Sequence, residues 1–220
     1  MQPETKIIPL FPLDNVVLFP HALLSIHIPA YNHVLGLGDY IVQDAELCFG
    51  LMKKTQRNDF SSSPVPSEVF HSACVGRVVN KERDKKNEYK VLIEGIERVS
   101  IIEEVRNKPI IMVRVEVLHD FIDLANKVET NKEMKHTLCI TEELGELLPH
   151  FRPIIRSIVA AYPHPAIIAD LIAYTFVKDT YSKQSILEEL DTHRRLKLIN
   201  IQIENITRRL SRQRNRDTLK

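Results

Sequence analysis

Three histidines recur at six-residue intervals near the amino end, His21, His27 and His33, so metal binding is the first chemistry to test. A zinc site needs three or four donors converging on one point. These three would fall on an edge turn, a strand and a helix, with no C-x-x-C or H-x-x-x-H beside them, so no metal site is expected. His27 reads as a partly buried histidine with one hydrogen-bond partner, and His119 and His193 as surface or cap positions. Cys74 has His71 and Ser72 as neighbours, but positions 71 and 74 of a strand point to opposite faces, so His71 is badly placed to activate the thiol. None of the six glycines forms a G-x-x-x-x-G-K-[ST] phosphate cradle, and Gly36-x-Gly38 meets Ile41 where a dinucleotide loop needs a third glycine. The acidic pairs Glu103-Glu104, Glu142-Glu143 and Glu188-Glu189 read as solvated faces. The expectation is a chain with no catalytic residue, no metal and no cofactor.

The elements that would have to position any site read as two kinds. The chain has 220 residues, 44% hydrophobic and 27% charged, the profile of a globular protein that buries about 70% of its unfolded surface. No apolar run approaches the roughly 18 residues needed to span a bilayer, and Met1-Gln2-Pro3-Glu4 lacks the flank of a secretory signal. Cys48, Cys74 and Cys139 are read as buried free thiols, which places the chain in the cytoplasm. The net charge of +1 hides a gradient. Residues 1–120 hold 14 basic and 16 acidic side chains, residues 121–193 hold 7 and 11, and residues 194–220 hold 9 and 2.

Residues 1–120 read mainly as strands. The opening, Ile7 to Pro20, is an apolar run cut by Pro9, Pro12 and Pro20. Proline lacks an amide donor, so the expectation is two extended pieces at a sheet edge or barrel rim, hinged at Asp14-Asn15. Strands are expected at Leu23–Ile28, Leu47–Lys53, around Cys74–Val79, at Tyr89–Glu94, at Val99–Val105 after a tight Glu94-Gly95-Ile96-Glu97 corner, and at Ile110–Leu118. A helix is expected over Ala30–Gln43, a loop over Asn58–Ser67 and a hairpin turn at Asp84–Asn87. Mostly local connections suggest a small, partly closed β-barrel.

Beyond a boundary near residue 120 the spacing is helical. Helices are expected over about Glu129–Leu148 and Ile154–Ala161. Another should start at Pro165, with Ile167, Ile168, Leu171, Ile172 and Thr175 on one face, and a short one should be capped by Ser182. A long final helix should be capped by Asp191. Its Leu196, Ile199, Ile203, Ile206 and Leu210 form an a/d heptad seam. That seam packs on the preceding helices, or else pairs with a second copy or a partner. The basic tail past Arg212 has no apolar content to hold it.

Several of these segments resemble the amino-terminal domain of the ATP-dependent protease Lon. Pro12-Leu13 with Val16-Val17-Leu18-Phe19-Pro20 resembles its P-L-x-x-x-V-V-x-F-P opening, and Val75-Gly76-Arg77-Val78 a G-x-x-A-R-I-type strand. Val91 to Arg98 is similar to V-L-V-E-G-x-x-R. Pro165 to Ala173 resembles P-x-x-L-A-D-x-I-A, and Gln184 to Leu196 resembles K-Q-x-x-L-E-x-x-D-x-x-x-R-L. The blocks occur in order over most of residues 7–200. The resemblance implies an α+β fold: a PUA-like β-barrel with one helix over residues 1–120, then an α-helical bundle over residues 121–220 ending in the long helix and basic tail. It also implies a non-catalytic substrate-recognition module that captures unfolded or misfolded polypeptides, from a family whose ATPase and protease domains lie downstream. Pro66-Ser67-Glu68 lacks the small neighbours of that family's catalytic serine. The chain is then a stand-alone domain or a fragment of a longer protease.

An exposed apolar groove or sheet edge on the barrel would hold the client, with no lining residue assigned. A Lon-type ring through the last helix is a further possible assembly. Two other readings stand beside this one. RNA binding, which PUA-like barrels elsewhere perform, is opposed by the acidic balance of residues 1–120. An adaptor or scaffold would associate through Leu196, Ile199, Ile203, Ile206 and Leu210.

Overall fold

The proline-cut opening forms a single strand, β1 (Thr5–Leu13), and it lies inside the sheet. Of the two extended pieces expected at a sheet edge or barrel rim, the first is this strand, which ends at the expected Asp14-Asn15 hinge. The strand tolerates its prolines because it changes neighbours halfway. Thr5–Pro9 pair antiparallel with the last strand, and Leu10–Leu13 pair parallel with Cys48–Leu51. Neither stretch is recorded with a ladder on both edges, so Pro9 and Pro12 remove few bonds. The amide of Leu10 donates to the Ile111 carbonyl at 2.9 Å where the change occurs. A bend follows at Asp14-Asn15, with Asn15 in the left-handed region at φ 57°, which asparagine tolerates. The second piece is not a strand: Val17, Leu18 and Phe19 are buried as an irregular plug.

The computed structural model describes residues 4–28, 40–53, 68–83, 88–106, 109–161 and 164–218. Most of the helix expected over Ala30–Gln43, the loop over Asn58–Ser67, the turn at Asp84–Asn87 and His33 lie outside the described residues. Within them, residues 41–43 are not helical, and Ile41 is buried while Val42 is exposed. The chain forms two compact units, Met1–His119 and Asp120–Lys220.

The first unit is a six-stranded sheet. After β1 come β2 (Leu23–Ile28), β3 (Glu46–Leu51), β4 (Ser72–Arg83), β5 (Tyr89–Arg106) and β6 (Met112–Leu118), in the spatial order β2-β5-β4-β3-β1-β6, with β5 also paired to β6. One edge of β5 pairs with β4. Its other edge is shared, Tyr89–Glu94 going to β2 and Arg98–Arg106 to β6. Alternating side chains fill two cores. Cys48, Ala73, Val75, Val99, Val113 and Val115 belong to one, and Leu47, Phe49, Cys74, Val78, Val91 and Ile93 to the other.

The expected corner at Glu94–Glu97 is absent, because β5 runs unbroken through it for 18 residues. Gly95 serves a different end. Its amide donates to Ala22 O at 2.9 Å and its carbonyl accepts from His21 N at 2.8 Å. A Cβ there would sit 2.0 Å from Phe19 O. Glycine is required for that close approach, and the ladder shifts register beside it, between Val75 and Gly76.

The second unit is helical. Its helices are α1 (Lys127–Leu147), α2 (Arg152–Ala161), α3 (Pro165–Phe176), α4 (Thr180–Glu188) and α5 (Thr192–Thr218). Asp179, rather than Ser182, caps α4, its Oδ2 accepting from Ser182 N at 2.7 Å. A carboxylate one turn earlier satisfies the same orphan amides. Asp191 caps α5 as expected, its Oδ1 accepting from His193 N at 2.9 Å. On α3 the buried face is broader than Ile168 and Ile172, taking in Ala166, Ala169, Ala173 and Phe176, while Ile167, Leu171 and Thr175 are only half-buried. Small residues let that side of the helix approach its neighbours. Leu196, Ile199 and Ile203 of the heptad seam are 0% exposed, so three of its five positions are filled within this unit; Ile206 and Leu210 are half-buried.

Candidate functional site

Among the described residues, those singled out for chemistry lie apart from one another. His27 is exposed, which corrects the expectation of partial burial: on β2, Leu24 and Ile28 point inward while Leu23, Ser25 and His27 point out. His21 and His71 are also exposed, and the His71 Nδ1 lies 3.1 Å from Ile101 O. Cys74 is buried, its thiol turned to Val75 O. Cys48 is buried too, and desolvation of the thiolate pushes its pKa up to about 12, which leaves it inert. Cys139 was expected to be buried and is exposed on α1. His193, expected at a surface or cap position, sits in the cap of α5, its amide donating to Asp191 Oδ1 at 2.9 Å, and its side chain is buried. Among the described residues no three His, Cys, Asp or Glu side chains gather as metal ligands, and no helix is long and apolar enough to cross a membrane.

The conspicuous charged group is structural. Arg195 is 0% exposed and donates to the carboxylate of Asp120, to Asp170 Oδ1 at 3.2 Å and to Glu189 O at 2.8 Å. Two of the sequence blocks, through Asp170 of Ile168-Ala169-Asp170 in α3 and Arg195 of the D-x-x-x-R-L at the start of α5, thus meet in one buried ion-pair network. The signal was present in sequence, since Asp170 is an acid set within an apolar helix, but its partner is 25 residues away. A buried guanidinium is tolerable only when its donors are met in this way.

What remains is surface able to hold another chain. Among the described residues β2 is paired on one edge only, to β5, in regular register from Leu23–Glu94 to Ile28–Tyr89. Natural edge strands are usually blunted by lysine, proline or a bulge, and Leu-Leu-Ser-Ile-His-Ile contains none of these. Leu23 is 55% exposed. Behind the strand a cleft of about 210 Å³ is lined by Ser25, Asn80, Glu82, Lys90 and Leu92.

A second apolar surface lies at the far end of β5. Ile102 and Val105 are the extra residues at two register shifts against β6, and the shifts leave both side chains exposed. Ile7 is exposed nearby, across the sheet from Arg114, whose Nε donates to Glu103 Oε1 at 2.8 Å. In the helical unit a groove of about 450 Å³ runs between α1 and α2, floored by Gly145, Ile155, Val159 and Ala160 and rimmed by Glu142, Arg156 and the paired Glu146 and Arg152. Sequence could not point to these places. Exposed and buried apolar residues read alike, and a bulge leaves no local signature.

Comparison with known proteins identifies the family. A family model described as the ATP-dependent protease La (LON) substrate-binding domain matches residues 7–205. Lon protease 2 of Myxococcus xanthus is 26% identical over 194 residues, covering 88% of this chain and 23% of that protein. Lon protease 2 of Sorangium cellulosum is 28% identical over 200 residues, covering 90% and 24%. The chain therefore spans about a quarter of the length of the curated relatives it matches. Among solved structures, the N-terminal domain of Mycobacterium avium complex Lon protease superposes with TM-score 0.64 at 15% identity, over 90% of this chain and 98% of that one. The Lon N-terminal domain protein from Xanthomonas campestris gives TM-score 0.52 at 14% identity, over 87% and 95%. These two share the fold.

Proposed function

Because the chain belongs to the LON substrate-binding domain family, we propose that it is a non-catalytic module that captures unfolded or misfolded polypeptides along the open edge of β2. The observation that supports the reading is that edge: among the described residues Leu24–Ile28 pair with β5 alone, in regular register and unblunted, with an alternating inner face of Leu24, Ile26 and Ile28. An extended client segment adds as a further strand. Its backbone bonds β2 without regard to sequence, and its alternate apolar side chains extend the inner face. Folded proteins, with their strands already paired, are not recognised.

The same reading takes residues 1–120 as a partly closed, PUA-like barrel, supported by the pairing of β5 to both β4 and β6, and residues 121–220 as its helical companion domain. It places the protein in the cytoplasm with its cysteines reduced. Work on the captured client belongs to other domains or other chains. Self-association through α5, if the protein assembles in that way, uses Ile206 and Leu210, the half-buried end of the seam.

The test is fluorescence anisotropy with labelled, reduced and carboxymethylated α-lactalbumin. Saturable binding is expected, together with a loss of at least ten-fold in affinity for a Leu23→Lys, Ser25→Lys double variant whose circular dichroism is unchanged. Lysines on an edge strand oppose strand addition. Affinity no greater than for a folded control, or binding unmoved in the variant, would defeat the proposal.

A further inference from the structure

The first half of α1 has no fully buried apolar side chain, its Met134 and Leu138 being half-buried. The residues that α1 buries are Thr130, Thr137, Ile140, Thr141, Leu144 and Gly145, so both aliphatic anchors lie in its second half. Over residues 127–139 the buried side chains are two threonines, and both spend their hydroxyls on their own helix. Thr130 Oγ1 donates to Asn126 O at 2.8 Å and Thr137 Oγ1 to Glu133 O at 2.9 Å. Val128, which could have anchored this half, is 66% exposed.

The facing helix matches it in polarity. His193, Asn200 and Thr207 recur at seven-residue spacing along α5, one strip of a helix. Each has a buried polar atom without a hydrogen-bond partner: His193 Nδ1, Asn200 Oδ1 and Thr207 Oγ1. Two links cross to this half of α1, Asn200 Nδ2 to Glu133 Oε1 at 2.8 Å and the exposed pair of His136 Nε2 with Glu204 Oε1 at 3.2 Å. Asn126 makes no side-chain capping bond, and α1 is entered through a 3-10 turn over Leu124–Asn126 that Asp123 caps, its Oδ1 accepting from Ala125 N at 3.0 Å.

We propose that residues 127–139 form a detachable strap that unfolds from α5 while Ile140 and Leu144 keep the rest of α1 in place. Opening uncovers the half-buried Met134 and Leu138 but no fully buried apolar side chain of α1. It also hydrates polar atoms that are orphaned when the strap is closed, which favours a populated open state. A stretch of 13 residues is too short to persist as a helix in water once undocked. Departure of the strap uncovers the strip of α5 around His193 and Asn200. The strap thus gates a helix face that is covered in the closed form.

Hydrogen exchange of the full chain, followed by mass spectrometry at neutral pH without denaturant, tests this. Peptides from 127–139 are expected to exchange at least ten-fold faster than those from 140–147 and from 193–205. A Glu133→Leu, Asn200→Leu double variant, which replaces the polar link by an apolar contact, should slow exchange of 127–139 at least ten-fold. Equal protection along the whole of α1 in the parent protein would overturn the proposal. So would unchanged exchange in a variant whose helical circular dichroism matches the parent; if that variant does not fold, the comparison within the parent protein decides.

Discussion

Arg195 shows how much can rest on one side chain. Its guanidinium meets two carboxylates and a carbonyl with no exposure to water, so truncation would strand Asp170 as an uncompensated buried charge. Arg195→Ala is expected to lose about 3–5 kcal/mol, read as a lower urea midpoint at unchanged slope. Gly95→Ala should cost about 1–3 kcal/mol, toward the upper end because the clash is with a backbone oxygen; a thermal melt measures it. The thiols separate by burial. Cys48 and Cys74 are enclosed and Cys139 is exposed, so a maleimide should add once to the native protein and three times after denaturation, counted by intact mass.

Helices and strands here take their roles from what covers them. The α5 seam has the spacing of a coiled coil, yet Leu196, Ile199 and Ile203 are already buried by their own unit. Ile203→Asp is therefore expected to unfold the helical unit, seen as lost helical circular dichroism, rather than to dissociate an oligomer. Across α1 and α5, Glu204 has its pKa held below the usual carboxylate value by its bonds to His136 and Arg208. A depressed folded-state pKa contributes stability that is present above the unfolded value near 4.5 and lost as pH falls through the folded one. Glu204→Gln should flatten that part of the stability–pH profile below pH 4.5 and change little at neutral pH, where the pair is exposed and screened.

Charge is distributed so that the acidic balance of the sheet unit and the basic end of α5 lie at opposite ends of the chain. Residues 194–220 hold 9 basic against 2 acidic side chains, while residues 1–120 are mildly acidic. A polypeptide-binding edge on β2 and an RNA-binding barrel then predict different salt behaviour. Client binding through strand addition should change little between low and physiological salt. Any retention on RNA should fall steeply with salt and vanish when the arginines at 208, 209, 212, 214 and 216 become glutamine. An anisotropy titration at two salt concentrations, run with both probes, distinguishes them.

Periodicity, turn residues and the ordered motif blocks were enough to establish strands followed by helices, most element positions, the α5 cap at Asp191 and the family, because those signals are local or read in order along the chain. They cut the opening into two pieces at an edge or rim, split β5 at Gly95 and left open whether His193 is a surface or cap residue, because each outcome depends on residues distant in sequence: β3 and β6 around the prolines, Phe19 against the glycine, and the packing that buries the histidine. The same limit governs the surfaces. Whether Leu23 or Ile102 faces water, and whether Asp170 finds a counter-charge, is settled by pairings and packing across tens of residues, which alternation within one segment does not encode.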